Sequence, residues 1–190
     1  MSRGLKVTTR SPEETRTLGA ALAPFLVPAD VISLSGDLGA GKTVFVQGLG
    51  AALGVRERIT SPTFTLLNQY EGRYQILHLD VYRLDSFQEV LDLGFEELLD
   101  PGAVLLVEWG EAVSPLLPER HLRIDLQRSE GLGDSERDVT FVPHGPEWVR
   151  KVQEMRTTAE ALLNALSTGD SDTHRFMEID LPPARDHRAT

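Results

Sequence analysis

The order of apolar and polar positions divides the chain into short strands alternating with helices. Leu5 to Thr8 alternates like a strand, and Ser11-Pro12-Glu13-Glu14 then supplies an N-cap, a proline at the first helical position and a Glu placed to close a capping box. Leu18, Ala21, Leu22, Phe25 and Leu26 share one face at helical spacing until Pro28 ends the run. Val31, Ile32 and Leu34 form a short apolar strand, and Val44, Phe45, Leu49, Ala52 and Leu53 carry a second helical face up to Gly54. A strand is predicted from Phe64 to Tyr70. Gln75 to Tyr82 and Ala103 to Glu108 are near-continuous apolar runs, as in strands covered on both faces of a parallel sheet. Between them Asp85-Ser86 caps a helix carrying Phe87, Val90 and Leu91, interrupted at Gly94 before Phe95 to Leu99, and Pro101-Gly102 marks a turn. Leu122, Ile124 and Leu126 alternate, as do Val139, Phe141 and Pro143, around Gly131-Leu132-Gly133-Asp134, which predicts an antiparallel hairpin. Gly145-Pro146 opens a last helix with Trp148, Val152, Met155, Ala159, Leu162 and Leu166, a stripe too short for a coiled coil. From Ser167 a tail rich in Gly, Asp, Ser, Pro and Arg has no long period, and Phe176 to Ile179 is its one segment suited to docking.

The loop between the first apolar strand and the second helix carries the most specific chemistry. Gly36-Asp37-Leu38-Gly39-Ala40-Gly41-Lys42-Thr43 is G-x-x-x-x-G-K-[ST] between a strand and a helix. Glycines let backbone N–H groups turn inward around phosphate oxygens, and the positive end of the helix favours the anion. Asp37, Leu38, Gly39, Ala40, Gly41, Lys42 and Thr43 are therefore candidate nucleotide-binding residues, Lys42 as the charge on the β- and γ-phosphates and Thr43 as a hydroxyl for Mg²⁺. Ligands of open α/β sheets sit beyond the carboxyl ends of the strands, where this loop, Asp80 and Glu108 all fall. The two acids are candidates for holding Mg²⁺ and orienting an attacking water, and spacing alone does not divide those parts between them. Thr60-Ser61-Pro62-Thr63-Phe64-Thr65 reads equally as a switch that senses a γ-phosphate and as a turn into the next strand. His78 reads as a buried, hydrogen-bonded core residue, and Arg137 as a cation able to approach the nucleotide. The pattern predicts an α/β, P-loop NTPase-like fold of three layers. It has a mostly parallel central sheet, an antiparallel hairpin near the C-terminal end of the domain and an appended C-terminal helix. The domain spans residues 1–150, the helix 146–166 and a flexible tail 167–190.

With 190 residues and a net charge of -10, the chain suits one such domain whose surface repels phosphate backbones. The absence of cysteine excludes disulfides and thiolate chemistry. No apolar run approaches the roughly 20 residues of a membrane span, and no apolar signal core opens the chain, so a cytoplasmic protein is expected.

Four blocks together, Gly36 to Thr43, Ser61-Pro62-Thr63-Phe64, His78 to Leu84 and Glu108-Trp109, resemble the TsaE (YjeE) family of bacterial P-loop ATPases over roughly residues 5–150. The resemblance implies an accessory factor for threonylcarbamoyl modification of adenosine 37 in tRNAs that read codons starting with A. It implies ATP and Mg²⁺ as cofactors, weak hydrolysis by the chain alone, and a TsaB–TsaD pair as partners through which tRNA is met. It places Thr43 and Glu108 at the Mg²⁺, Asp80 as the other acid, Thr63 as a switch-type hydroxyl and Trp109 as a functionally sensitive neighbour. The helix and tail after about Trp148 run longer than the family pattern. Two rival readings are a small P-loop kinase, for which Arg120, Arg123, Arg128 and Arg137 are available as clamps, and a nucleotide-gated binding module.

Overall fold

The computed structural model describes residues 4–84, 89, 94–129, 135–167 and 177–179. Its strands are β1 (Leu5–Thr9), β2 (Val31–Ser35), β3 (Leu67–Glu71), β4 (Gln75–Asp80), β5 (Ala103–Glu108), β6 (Leu122–Arg128), β7 (Arg137–Pro143) and β8 (Met177–Ile179). They form one sheet in the order β3-β4-β5-β2-β6-β7-β1-β8. β4, β5, β2 and β6 are mutually parallel and make the centre, with antiparallel pairs on both sides. The α/β class and the β6–β7 hairpin are as expected, and β3 and β1 extend the antiparallel share to both flanks. Gly131 to Asp134 at the hairpin tip, and the helix start expected at Asp85 to Leu91, lie outside the described residues apart from Glu89.

The helices are α1 (Pro12–Leu22), α2 (Lys42–Ala52), α3 (Phe95–Leu98) and α4 (Pro146–Ser167), with 3-10 segments at Ala23–Phe25 and Gly110–Leu116. Helix α1 starts as its sequence dictates: Ser11 Oγ accepts from the Glu14 amide at 3.2 Å, and Glu14 accepts from the amide of Arg10, one residue before the cap. One sheet face packs Ile32, Leu34, Ile76, Val104, Leu106, Ile124 and Phe141 under α1, α2 and α4. The other face buries Val31, Leu79, Leu105 and Val107 against Phe95 and Val113. Helices α1 and α2 approach so closely that a Cβ on Gly48 would lie 1.8 Å from the Arg16 carbonyl oxygen. Among the described residues no helix is long and apolar enough to cross a membrane.

Two expectations shift. The strand expected from Phe64 begins at Leu67 because Pro62 closes a turn, accepting from the amides of Thr65 and Leu66, and Leu66 takes φ 64°. Phe64 is consequently 83% exposed. In α4 the buried stripe is Trp148, Val152, Met155, Ala159 and Leu163, whereas Leu162 and Leu166 face outward. A strict step of seven lags behind a straight helix by about 20° per heptad, and α4 follows the 3.6-residue period against α1. Within the tail, Met177–Ile179 does dock, adding antiparallel to β1 in register Leu5↔Ile179.

Candidate functional site

At the carboxyl end of β2 the chain turns through Gly36 to Gly41 into α2, and this turn depends on glycine. Gly36, Gly39 and Gly41 hold φ of 133°, 78° and 104°, and a Cβ on Gly36 would stand 2.0 Å from the Leu126 carbonyl oxygen. Gly41 is the N-cap of α2, so no side chain caps its first turn, which also contains no acid. The first amides of an eleven-residue helix are left facing the loop with the positive end of its dipole. Asp37, Leu38, Gly39 and Ala40 form the crown, with the Ala40 amide donating to the Asp37 carbonyl and Leu38 at the exposed tip.

Lys42 is buried beneath this crown. Its Nζ donates to the carbonyls of Gly36 at 2.6 Å and Asp37 at 3.1 Å, and lies 3.8 Å from the centre of the Trp109 ring. Burial pulls its pKa below the ordinary lysine value, opposed by the carboxylates of Glu108, Glu111, Asp80 and Asp37. Trp109 reaches that position from a left-handed backbone at φ 62°, a conformation costing on the order of 1 kcal/mol, and its ring also meets the Tyr82 ring at a tilt of 37°, with centroids 4.8 Å apart. Arg137 reaches the loop from β7 through carbonyls: Nε donates to Ala40 at 3.1 Å and Nη2 to Gly39 at 3.2 Å. It therefore braces the crown from outside the set of loop amides.

The two acids meet because β4 and β5 pair in register Asp80↔Glu108, both side chains buried. Glu108 Oε1 accepts from Thr43 Oγ1 at 2.9 Å and lies 3.0 Å from His78 Nε2. Asp80 Oδ2 accepts from Ser61 Oγ at 2.8 Å and Thr63 Oγ1 at 2.6 Å, while Oδ1 accepts from the Tyr82 amide at 3.0 Å. The segment that read as switch or turn forms a turn whose hydroxyls converge on Asp80. Hard oxygen donors available to a cation are Thr43 and Glu108, with Asp80 in the adjoining strand. No group of three or more His, Cys, Asp and Glu able to hold a metal occurs among the described residues. So sparse a set suits Mg²⁺, which keeps its waters and takes phosphate oxygens, and does not suit a cation that needs a full protein cage.

Among the contacts that went unread in the sequence are His78 on Glu108 and Ser61 on Asp80. The first had a signal: His78 and Asp80 are two apart on one strand and so face the same way, toward Glu108. The second joins residues 19 apart through a loop, which no periodicity reports. A separate polar patch lies on the far sheet face, where the rings of His121 and His144 stack at 4.1 Å near the buried hydroxyls of Ser33 and Ser35.

These residues fall inside the span the chain shares with known proteins. The profile of the family described as threonylcarbamoyl adenosine biosynthesis protein TsaE matches residues 9–139. The chain is 40% identical over 152 residues to the tRNA threonylcarbamoyladenosine biosynthesis protein TsaE of Bacillus subtilis, covering 80% of this chain and 93% of that one. To the protein of the same name from Treponema pallidum it is 42% identical over 136 residues, 72% of this chain and 98% of the relative. The crystal structure of Bacillus subtilis YdiB superposes with a TM-score of 0.71 at 35% identity, covering 83% of this chain and 97% of that chain. Since the profile spans well over half of the sequence and such relatives align along nearly their whole length, the chain belongs to the TsaE family of tRNA threonylcarbamoyladenosine biosynthesis proteins.

Proposed function

We propose that within this biosynthesis the chain is a Mg²⁺-dependent ATPase that acts in the cytoplasm with a TsaB–TsaD pair. In this reading ATP hydrolysis supports repeated rounds of threonylcarbamoyl transfer to adenosine 37 of tRNA. The observation that carries it is the Thr43–Glu108 hydrogen bond at the uncapped start of α2, directly below a glycine crown with a buried lysine. Loop amides and Lys42 hold the phosphates. Thr43 and Glu108 would hold Mg²⁺, which would supply charge neutralisation on the phosphate oxygens. Asp80 would orient the attacking water, and Thr63, bonded to Asp80, would be the hydroxyl that senses the γ-phosphate. Through it the Ser61 to Phe64 segment reports whether the γ-phosphate is present.

The partner part of the reading is supported by the rim of the site. Leu38, Phe64 and Tyr82 are exposed there, with the Arg83 guanidinium 4.1 Å from the centre of the Phe64 ring. A net charge of -10 favours meeting tRNA through other proteins. Of the four arginines available to a kinase clamp, Arg120 pairs with Glu147 and Arg123 with Asp125, which weakens that alternative, while Arg137 bonds loop carbonyls and the Arg128 guanidinium lies beside Gly39. The test is to follow tRNA modification by a TsaB–TsaD pair supplied with its threonylcarbamoyl donor, adding the chain with ATP, with a non-hydrolysable ATP analogue, or as Lys42→Ala. Multiple turnovers only with the wild-type chain and ATP are expected. Equal turnover with the analogue would overturn hydrolysis as the chain's contribution.

A further inference from the structure

We infer that His78 is a positioning residue that fixes the Glu108 carboxylate for its cation. The inference rests on the Mg²⁺-nucleotide reading above. His78 is fully buried in β4, on the same face as Asp80 and beside Leu106 of β5. Its Nε2 is 3.0 Å from Glu108 Oε1, the oxygen that also accepts from Thr43 at 2.9 Å. An ionised carboxylate oxygen has no hydrogen to give, so in this pair Nε2 carries the hydrogen and donates it. Among the described residues Nδ1 has no hydrogen-bond partner and lies in the apolar layer near the Tyr70 ring. A residue present only to fill this layer would be apolar, like Ile76 two positions earlier on the same face, and would leave no buried nitrogen unpaired. What the imidazole adds is the bond to Glu108.

Two donors on Oε1, one from α2 and one from β4, remove the freedom of the carboxylate to rotate. Oε2 is then the oxygen left for a cation or its water. Ligand-orienting contacts of this kind are worth roughly 10–100-fold in metal affinity. The effect belongs to Mg²⁺ affinity and not to nucleotide affinity as such, because His78 lies behind Glu108 while the loop amides and Lys42 hold phosphate without it.

The test uses a fluorescent N-methylanthraniloyl ADP as probe, titrated into the full chain once in Mg²⁺ and once in EDTA. Wild type is compared with His78→Gln, whose side-chain amide places an N–H where Nε2 stood, and His78→Asn, whose shorter amide ends near the Nδ1 position. The ratio of the two dissociation constants isolates the cation's contribution and does not depend on the fraction of protein folded. His78→Asn is expected to lose about tenfold or more of that ratio. His78→Gln should stay within about threefold of wild type, with all three proteins alike in EDTA. An unchanged ratio in His78→Asn, or equal loss in both variants, would overturn the proposal. A wild-type ratio of one would instead sink the Mg²⁺ reading itself and this inference with it. Nitrogen NMR of the wild-type imidazole gives a check that needs no variant: hydrogen on Nε2 agrees, and hydrogen on Nδ1 alone contradicts.

Discussion

Asp80 and Glu108 stand side by side at the ends of neighbouring strands, yet they are wired to opposite kinds of partner. Glu108 is tied to the first turn of α2 through Thr43 and to the core of the sheet through His78, both parts of regular elements. Asp80 is tied to Ser61 and Thr63, in a turn that ends in a largely exposed Phe64. Identical chemistry on adjacent strands therefore gives one carboxylate framed by regular elements and another linked to an irregular turn. Holding a cation demands the first, and coupling the state of a nucleotide to a partner demands the second. The proposed division of roles, which spacing left open, is the one these neighbours suit.

The harshest way to break the comparison is to remove what both halves serve. Lys42→Ala takes away the buried ammonium under the crown, and phosphate release is expected to fall by about 10²–10³-fold, with nucleotide binding lost alongside it. Next, Glu108→Gln keeps the shape and the acceptor oxygen for Thr43 and His78 while removing the charge. It should lower Mg²⁺-dependent release by about 10²-fold at a melting temperature close to wild type. Normal release by that variant would leave the fixed carboxylate without a role.

A double-mutant cycle sharpens the contrast. Thr63→Ala and Asp80→Asn should each slow release roughly tenfold, and the double variant little further, a coupling on the order of 1 kcal/mol. Thr63→Ala combined with Thr43→Ala should instead multiply within about 0.5 kcal/mol, since these hydroxyls serve different acids. Coupling of the second pair as strong as the first would merge the two halves into one network. A milder effect is expected at the opposite edge of the sheet. Deleting residues 167–190 removes β8 from β1 and should leave phosphate release unchanged while lowering the melting temperature slightly.

The smallest effect separates chemistry from folding under acid. Burial, joined for His144 by its His121 neighbour, holds both stacked histidines below the ordinary value of 6.5. The unfolded chain therefore binds protons first as pH drops, and stability is full above about 6.5 and declines as pH falls through the folded-state values. His144→Phe should flatten that decline in a melting series, without altering the Mg²⁺ dependence of nucleotide binding.

The glycine loop and both strand-end acids were legible because each is written in a local grammar: glycines at fixed offsets, and an apolar run closed by a carboxylate. The contacts that separate the acids were not. Ser61 meets Asp80 through a turn whose shape depends on Pro62 and a left-handed Leu66, and His78 meets Glu108 across strand pairing between residues 30 apart. Arg137, read as a cation able to approach the nucleotide, has its guanidinium on the Gly39 and Ala40 carbonyls of the loop, partners that only the β7 register brings within reach. In α4, Leu162 and Leu163 are both apolar and adjacent, so the pattern admitted either as core until packing against α1 selected Leu163.

The most direct test of the central claim is phosphate release from ATP by the purified chain in Mg²⁺ and in EDTA, with Lys42→Ala as the blank. Slow release that requires Mg²⁺ and vanishes in both the EDTA and Lys42→Ala arms is the predicted result. Release that persists in EDTA, or that Lys42→Ala retains in full, would contradict it.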